Sequence, residues 1–279
     1  MKLAWLTDIH LNFLTQDERM VFYQTILDSS CEALLISGDI AEAPSLCDLL
    51  LEMSHFIKKP IHFVLGNHDY YRGSVATVRA ELIQLMQTAK SLHWLPASGV
   101  QLLKPEIALV GTDGFADGRY GDYENSYVCL NDSILIEELF QHKLLSKKQL
   151  QLKMQEFADE DSRQLEYDTQ TAINICKPKK MIVLTHVPPF PEVCLHQGHP
   201  TDPDYLPFFS SKATGDVLLK MVRHHPSVDF SVLSGHTHSY AQSQILKNLR
   251  VTVGAAEYYK PSLQEIIDLN TYSSTPCIL

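Results

Sequence analysis

Residues 61–69 read Ile61-His62-Phe63-Val64-Leu65-Gly66-Asn67-His68-Asp69: a short apolar run that stops at a glycine and then delivers three polar residues in succession. An apolar run of this length, closed by a turn signal, predicts a strand buried in a sheet. Working outward, the same pattern recurs. Lys2–Thr7 leads into Asp8-Ile9-His10, Ala33–Ser37 into Gly38-Asp39, Met181–Thr185 into His186, and Asp229–Ser234 into Gly235-His236-Thr237-His238. Ile107–Val110 is another such run, and Arg250–Val253 and Leu263–Leu269 are candidates to close the sheets.

Amphipathic stretches lie between these strands. Thr15-Gln16-Asp17-Glu18 is a capping box, its hydroxyl and carboxylate satisfying free amides at a helix start. Ser45 reads as the cap of a helix carrying Leu46, Leu49, Leu50 and Met53 at helical spacing, and Ser74 opens another with Val78, Leu82, Leu85 and Met86 inside. Strand–helix alternation predicts an α/β architecture with helices covering the sheets. The expected organisation is one domain over residues 1–279, without repeats or low-complexity segments. Residues 113–180 are less regular: a Gly- and Asp-rich loop precedes a polar helical stretch in which Leu150, Met154 and Phe157 fall at i, i+4, i+7. They read as a helical elaboration beside the rim of the site.

Composition narrows the partners. The net charge of −10 across 279 residues argues against bulk electrostatic binding of long nucleic acid or an anionic membrane. No stretch approaches the roughly 18–20 apolar residues of a membrane span, and the apolar N-terminal run reads as a strand, not a signal peptide. Six scattered cysteines (Cys31, Cys47, Cys129, Cys176, Cys194, Cys277) form no CxxC pair and suit reduced thiols, several of them core residues. A cytoplasmic location is the expectation.

The five polar segments each begin where a strand ends. In an open α/β sheet the loops at the carboxyl ends of strands gather at one edge, so all five can reach one spot. Asp8 with His10 and His236 with His238 are i, i+2 pairs, which on extended chain point the same way. Asp39 has two oxygens and can bridge two cations, Asn67 brings a neutral carbonyl oxygen, and His186 a nitrogen. Gly38, Gly66 and Gly235 precede ligands where the chain must turn with no side chain in the way. Oxygen and imidazole donors without thiolate favour Mn, Fe, Zn or Mg over a structural cysteine site. Most of the other histidines (His55, His62, His93, His142, His224, His225) read as ordinary surface or core residues.

The ordered series D-x-H, G-D, G-N-H-D, H, G-H-x-H resembles the calcineurin-like metallophosphoesterase signature, spanning Asp8 to His238. That resemblance implies a four-layer α/β/β/α sandwich, two packed mixed sheets flanked by helices. It implies one metal held by Asp8, His10, Asp39 and His238, and a second by Asp39, Asn67, His186 and His236. Two cations roughly 3.5–4 Å apart can hold a bridging hydroxide in line with phosphorus. The two aspartates and that hydroxide leave a local charge of about +1 inside an acidic protein, enough to draw in a phosphate. The resemblance makes His68 the group at the leaving oxygen, with Asp69 orienting its imidazole.

Departures from sister groups narrow the substrate. Phosphoprotein phosphatases carry an Arg four positions after the G-D aspartate, where this chain has Ala43; purple acid phosphatases carry a Tyr ligand three after it, where this chain has Glu42. Asp69 in place of Glu resembles the phosphodiesterase and nuclease branches. A phosphodiesterase acting on a small or nucleotide-type phosphoester is the first expectation. A phosphomonoesterase or nucleotide pyrophosphatase follows, and a nuclease or a non-catalytic metal-binding scaffold ranks lower. Asp113, Arg119, Tyr123, Arg72, Cys194, His196, His199, Phe208 and Phe209 are loop residues without an assigned role.

Overall fold

In the computed structural model, residues 1–140 and 146–271 are described; His142 and Cys277 lie outside them. The strands are β1 (Lys2–Leu6), β2 (Ala33–Ser37), β3 (Ile61–Val64), β4 (Leu92–Trp94), β5 (Gln101–Lys104), β6 (Ile107–Gly111), β7 (Lys180–Leu184), β8 (Leu195–His196), β9 (His199–Pro200), β10 (Asp229–Ser234), β11 (Ala241–Leu246), β12 (Leu249–Val253) and β13 (Glu265–Asp268). One sheet has the order β13-β1-β2-β3-β4 and a second β11-β12-β10-β7-β6-β5. Neighbours run parallel at the centre, while β13, β11 and β5 are antiparallel edges.

Strand periodicity builds the layers. Leu3 and Trp5 of β1, Leu35, Leu109, Leu184 and Leu233 share the core between the sheets. Their alternates Ala4, Leu6, Leu34, Ile36 and Phe63 pack under helices Gln16–Asp28, Ala43–Ile57 and Val75–Thr88. Val110, Val183, Val232 and Val251 pack under helices Lys147–Cys176 and Lys212–His224. Strands buried on both faces read as continuous apolar runs, which is why β1, β2, β3, β6, β7 and β10 stand out in the sequence. The result is the expected four-layer α/β/β/α sandwich.

Local signals fare unevenly. The Thr15 capping box forms, with Glu18 accepting the Thr15 amide, and Ser74 caps its helix through Thr77. Ser45 is not a cap: its helix begins at Ala43 with Glu42 at the cap position, and Pro44 sits in the first turn, where no intrahelical bond needs its missing amide and its fixed φ suits the helix. Strands β4, β5 and β11 carry no clear apolar pattern; β11 and β5 are edges with one side exposed. Helix Lys147–Cys176 is more than a rim elaboration. It buries Leu150, Met154 and Phe157 as its spacing predicts, and Leu165 and Ala172 against the second sheet. No helix among the described residues is long and apolar enough to cross a membrane.

His62 of β3 is buried and its ring stacks on His93 at 4.8 Å. Burial, and secondarily the His93 ring, hold its imidazole down to about 4 from an ordinary 6.5. Between those values the unfolded chain binds the extra proton, so this contribution to stability is full above the unfolded value and lost as pH falls toward the folded one. In His62→Phe, the urea-derived stability should lose about 2 kcal/mol less than wild type on going from about pH 7 to about pH 5. Parallel pH slopes for the two proteins would show that His62 is not the sensitive group.

Candidate metal centre

The ligand loops leave the same edge of both sheets. β1, β2 and β3 are neighbours in one sheet and β7 and β10 in the other, so five strand ends meet across the sandwich. The turns that follow are tight. Asp8 (φ 49°), His10 (40°), Asp39 (53°), His236 (73°) and His238 (53°) all adopt left-handed backbone. Non-glycine residues avoid that region at a cost of about 1–3 kcal/mol each, and such strain gathers at functional sites. The pairs Asp8/His10 and His236/His238 therefore do not converge by strand alternation, as their spacing suggested. They lie beyond the strand ends, and successive left-handed turns aim them. Backbone hydrogen bonds hold those turns: Asp8 N donates to Gly38 O and His10 N to Asp39 O, each at 3.0 Å. The His236 amide donates to Asp8 Oδ1, also at 3.0 Å.

Two clusters of ligand atoms result. In one, His238 Nε2 lies 3.3 Å from Asp8 Oδ1 and 3.4 Å from His10 Nε2, and His10 Nε2 lies 3.9 Å from Asp39 Oδ2. Ligand atoms of these four residues all fall within 4.8 Å of one another. In the other, Asn67 Oδ1 is 3.1 Å from His186 Nε2 and 3.0 Å from His236 Nδ1, and His186 Nε2 is 3.3 Å from Asp39 Oδ1. Asp39 reaches both clusters with its two oxygens.

Hydrogen bonds at the far ends of these side chains decide what faces inward. His186 Nδ1 donates to Ser37 O at 2.9 Å and His236 Nε2 to Phe208 O at 3.0 Å, so His186 Nε2 and His236 Nδ1 are the nitrogens that face inward. Asn67 Nδ2 donates to Tyr71 Oη and Asp132 Oδ1, which turns its carbonyl oxygen toward the same point. Acceptors facing acceptors in a buried place repel unless a proton or a metal cation sits between them. The residues fit two metal ions, with Asp39 shared.

The electrostatics agree. Burial opposes ionising Asp39, but His186, His68 and His10 hold its carboxyl well below the usual range. Asp8 is also lowered, His238 and His186 outweighing burial. Burial pushes His10 down to about 4 against the pull of Asp39 and Asp8, which keeps its ring neutral and able to ligate. For His186 the balance reverses: burial opposes the charge, yet Asp39 raises the imidazole to about 10. Positive charge is wanted where the second cluster converges.

A family model of calcineurin-like phosphoesterases matches residues 1–240, the stretch that holds every one of these ligands. The chain belongs to the calcineurin-like phosphoesterase family. It is accordingly a metal-dependent phosphoester hydrolase. Among solved structures it is similar to a phosphopantetheinyl hydrolase of Mycobacterium tuberculosis, at 14% identity with a TM-score of 0.64, over 92% of this chain and 89% of that one. It is also similar to a dimetal phosphatase of Danio rerio, at 13% identity with a TM-score of 0.56, over 91% and 87%. At such identities the likeness speaks for the fold alone. No curated protein sequence matches this phosphoesterase.

The structure thus brings together Asp8, His10, Asp39, Asn67, His186, His236 and His238, and places His68 on the wall of the adjoining cleft. Asp69 departs from expectation. Its Oδ1 accepts from Ile40 N and Ala41 N and its Oδ2 from Gly66 N, each at 2.8 Å, and it makes no hydrogen bond to His68. The imidazole's Nδ1 is buried without a partner. Asp69 instead clamps the Asp39 loop to the Asn67 loop, because three amides near the turns need an acceptor and its side chain is the one buried among them. Burial and the Asp39 charge push its carboxyl up, against those amides.

Of the unassigned loop residues, His196 and Phe209 line the cleft. Asp113 is buried beneath it, accepting from Leu65 N, Trp94 Nε1, Tyr70 Oη and Arg79 Nη2. Arg119 pairs with Asp117 and Asp159, and Arg72 with Glu42. Sequence reasoning missed Tyr71, Asp132 and Tyr258, which line the cleft from segments without a motif.

A Cβ at Gly66 would overlap Asp39 Oδ1 and His186 Nε2. Asp39→Ala and Gly66→Ala should each fall from about two bound ions per chain to nearly none by elemental analysis, with far-UV circular dichroism unchanged. Full metal content in both variants would refute the shared carboxylate and the crowded turn together.

Proposed function

We propose that this phosphoester hydrolase is a phosphodiesterase for a small or nucleotide-type ester. One ion is held by Asp8, His10, Asp39 and His238, and the other by Asp39, Asn67, His186 and His236. The donor set favours Mn, Fe or Zn, with Mg less suited to so many imidazoles. Scattered cysteines and a net charge of −10 suit a reducing cytosol and a small anionic substrate.

The charge of the cleft carries the diester assignment. Among the described residues lining it none is Lys or Arg, while Asp39 and Asp132 are acidic. A monoester dianion would meet no guanidinium or ammonium beyond the ions themselves, whereas a diester brings a single negative charge and needs less. Flat rings line the same cleft: Tyr258 lies 4.9 Å from His238, and Phe209 lies 6.1 Å from His196. Such faces can stack an aryl or base group on one arm of the ester.

When bound, two cations supply Lewis acidity and lower the pKa of a water. The protein's own groups do the rest. The Ser37 and Phe208 carbonyls lock the tautomers of His186 and His236, and Asp132 with Tyr71 fixes the rotation of Asn67. His68, between the rings of His10 at 4.7 Å and Tyr71 at 4.2 Å, serves the leaving oxygen as proton donor. Asp69 acts through the loops it joins and not on the imidazole.

With added Mn²⁺, bis(p-nitrophenyl) phosphate should be turned over at least about tenfold better in kcat/KM than p-nitrophenyl phosphate. Preference for the monoester would replace this assignment with a phosphomonoesterase, and inertness toward both and toward a nucleotide panel would leave a metal-binding scaffold. His68→Ala should keep its metals and lose roughly 10²–10⁴-fold in kcat. Empty metal sites in that variant would refute the role given to His68.

A further inference from the structure

Beside the metal cleft lies a second cavity of about 280 Å³, walled by Phe115, Tyr123, Leu139, Leu150, Met154 and Phe208. These side chains come from the loop after β6, the segment before residue 141, helix Lys147–Cys176 and the helix Leu206–Phe209. The cavity is not a separate feature of the surface. Leu130 and Asp132 line both it and the cleft. The Phe208 ring lines the cavity while its carbonyl oxygen accepts from His236 Nε2, so one residue separates a metal ligand from the apolar wall.

Most polar groups of the described residues that line it are already engaged. Tyr123 Oη donates to Lys147 O, Lys147 Nζ donates to Glu124 O and Ser126 O, Ser126 Oγ donates to Asp204 O, and Ser133 Oγ donates to Leu130 O. Asp132 Oδ1 takes Asn67 and Tyr71. Among the described residues, what is left facing inward is mainly hydrocarbon and aromatic surface, which favours an apolar group.

We infer that this cavity is a substrate subsite for an alkyl or similarly slender apolar arm of the phosphoester, entering past Leu130 and Asp132 from a phosphoryl group in the cleft. The inference rests on the phosphoesterase centre described above and names one of the two arms that a diester would carry. The cavity is roomy enough for an alkyl chain of several carbons. Burying such groups strengthens binding roughly two- to fourfold per methylene until the space is filled.

Calorimetric titration of the Mn²⁺-loaded protein with methyl-, butyl- and octylphosphonate tests it, because the carbon–phosphorus bond is not hydrolysed and the readout is independent of turnover. Affinity should rise at least about tenfold from methyl to butyl and further to octyl. In Met154→Lys, which puts a charge into the cavity, and in Val128→Lys, at its partly exposed mouth, the octyl-to-methyl ratio should fall toward unity. Equal affinities for the three phosphonates in the wild type would overturn the subsite. So would a chain-length dependence that neither variant alters, since the alkyl group would then lie elsewhere. A rising series in a protein that hydrolyses neither p-nitrophenyl ester would keep the subsite and remove the phosphodiesterase assignment.

Discussion

A buried gathering of lone pairs is the constraint on which this protein turns. Asp39, Asp8, Asn67 and four imidazoles gather their ligating atoms at 3.0–3.9 Å from one another, most of them buried at the foot of the cleft. Protons drawn onto His186 by Asp39 and onto His238 by Asp8 relieve only part of that arrangement, because the other ends of His186, His236 and Asn67 are committed to Ser37, Phe208, Tyr71 and Asp132. Acceptors held this way are a cost to the fold and an affinity for cations. The same commitments that make the site unfavourable when alone make it selective when filled.

Holding such a site requires stiffness around it. Five ligand residues sit in left-handed backbone, and their strain is offset by the clamp of Asp69 and by a buried ionic network one layer below. There Arg79 bridges Asp113 and Asp161, while Asp161 also takes the Gly114 amide. Asp113 receives the Leu65 amide just before the Gly66 turn, and its own carbonyl accepts the His186 amide. The long helix that supplies Asp161 is thereby tied to two ligand loops. Removing one member of such a network leaves a buried charge unpaired, so its value lies in positioning more than in net stability.

The cleft and its neighbouring cavity divide the labour of recognition. In the proposed reading the candidate metal centre takes the phosphoryl group, Tyr258 and the His196–Phe209 pair offer flat faces to one arm, and the cavity behind Asp132 offers an apolar wall to the other. Asp132 stands at the junction. It fixes Asn67 and adds negative charge where a more highly charged phosphate would have to approach.

The sequence by itself determined the layers and singled out the candidate ligands. Strands buried on both faces must be apolar throughout, and polar residues of ligating type follow them at fixed spacing, three times behind a glycine (Gly38, Gly66, Gly235), so β1, β2, β3, β7 and β10 and the seven candidate ligands that the fold brings together were legible. Tertiary structure alone decided the rest. Edge strands such as β11 face solvent and need no apolar signature, and the helix that Ser45 had seemed to cap begins at Ala43 with Pro44 in its first turn. The partner of Asp69 depended on which amides the fold left without acceptors, which no local spacing encodes. Tyr71, Asp132, Tyr258 and the apolar cavity are assembled from segments far apart in the chain, each ordinary on its own. Ligand loops announce themselves because metal chemistry restricts residue type at fixed spacing; substrate pockets do not, because any apolar side chain that arrives at the right place will serve.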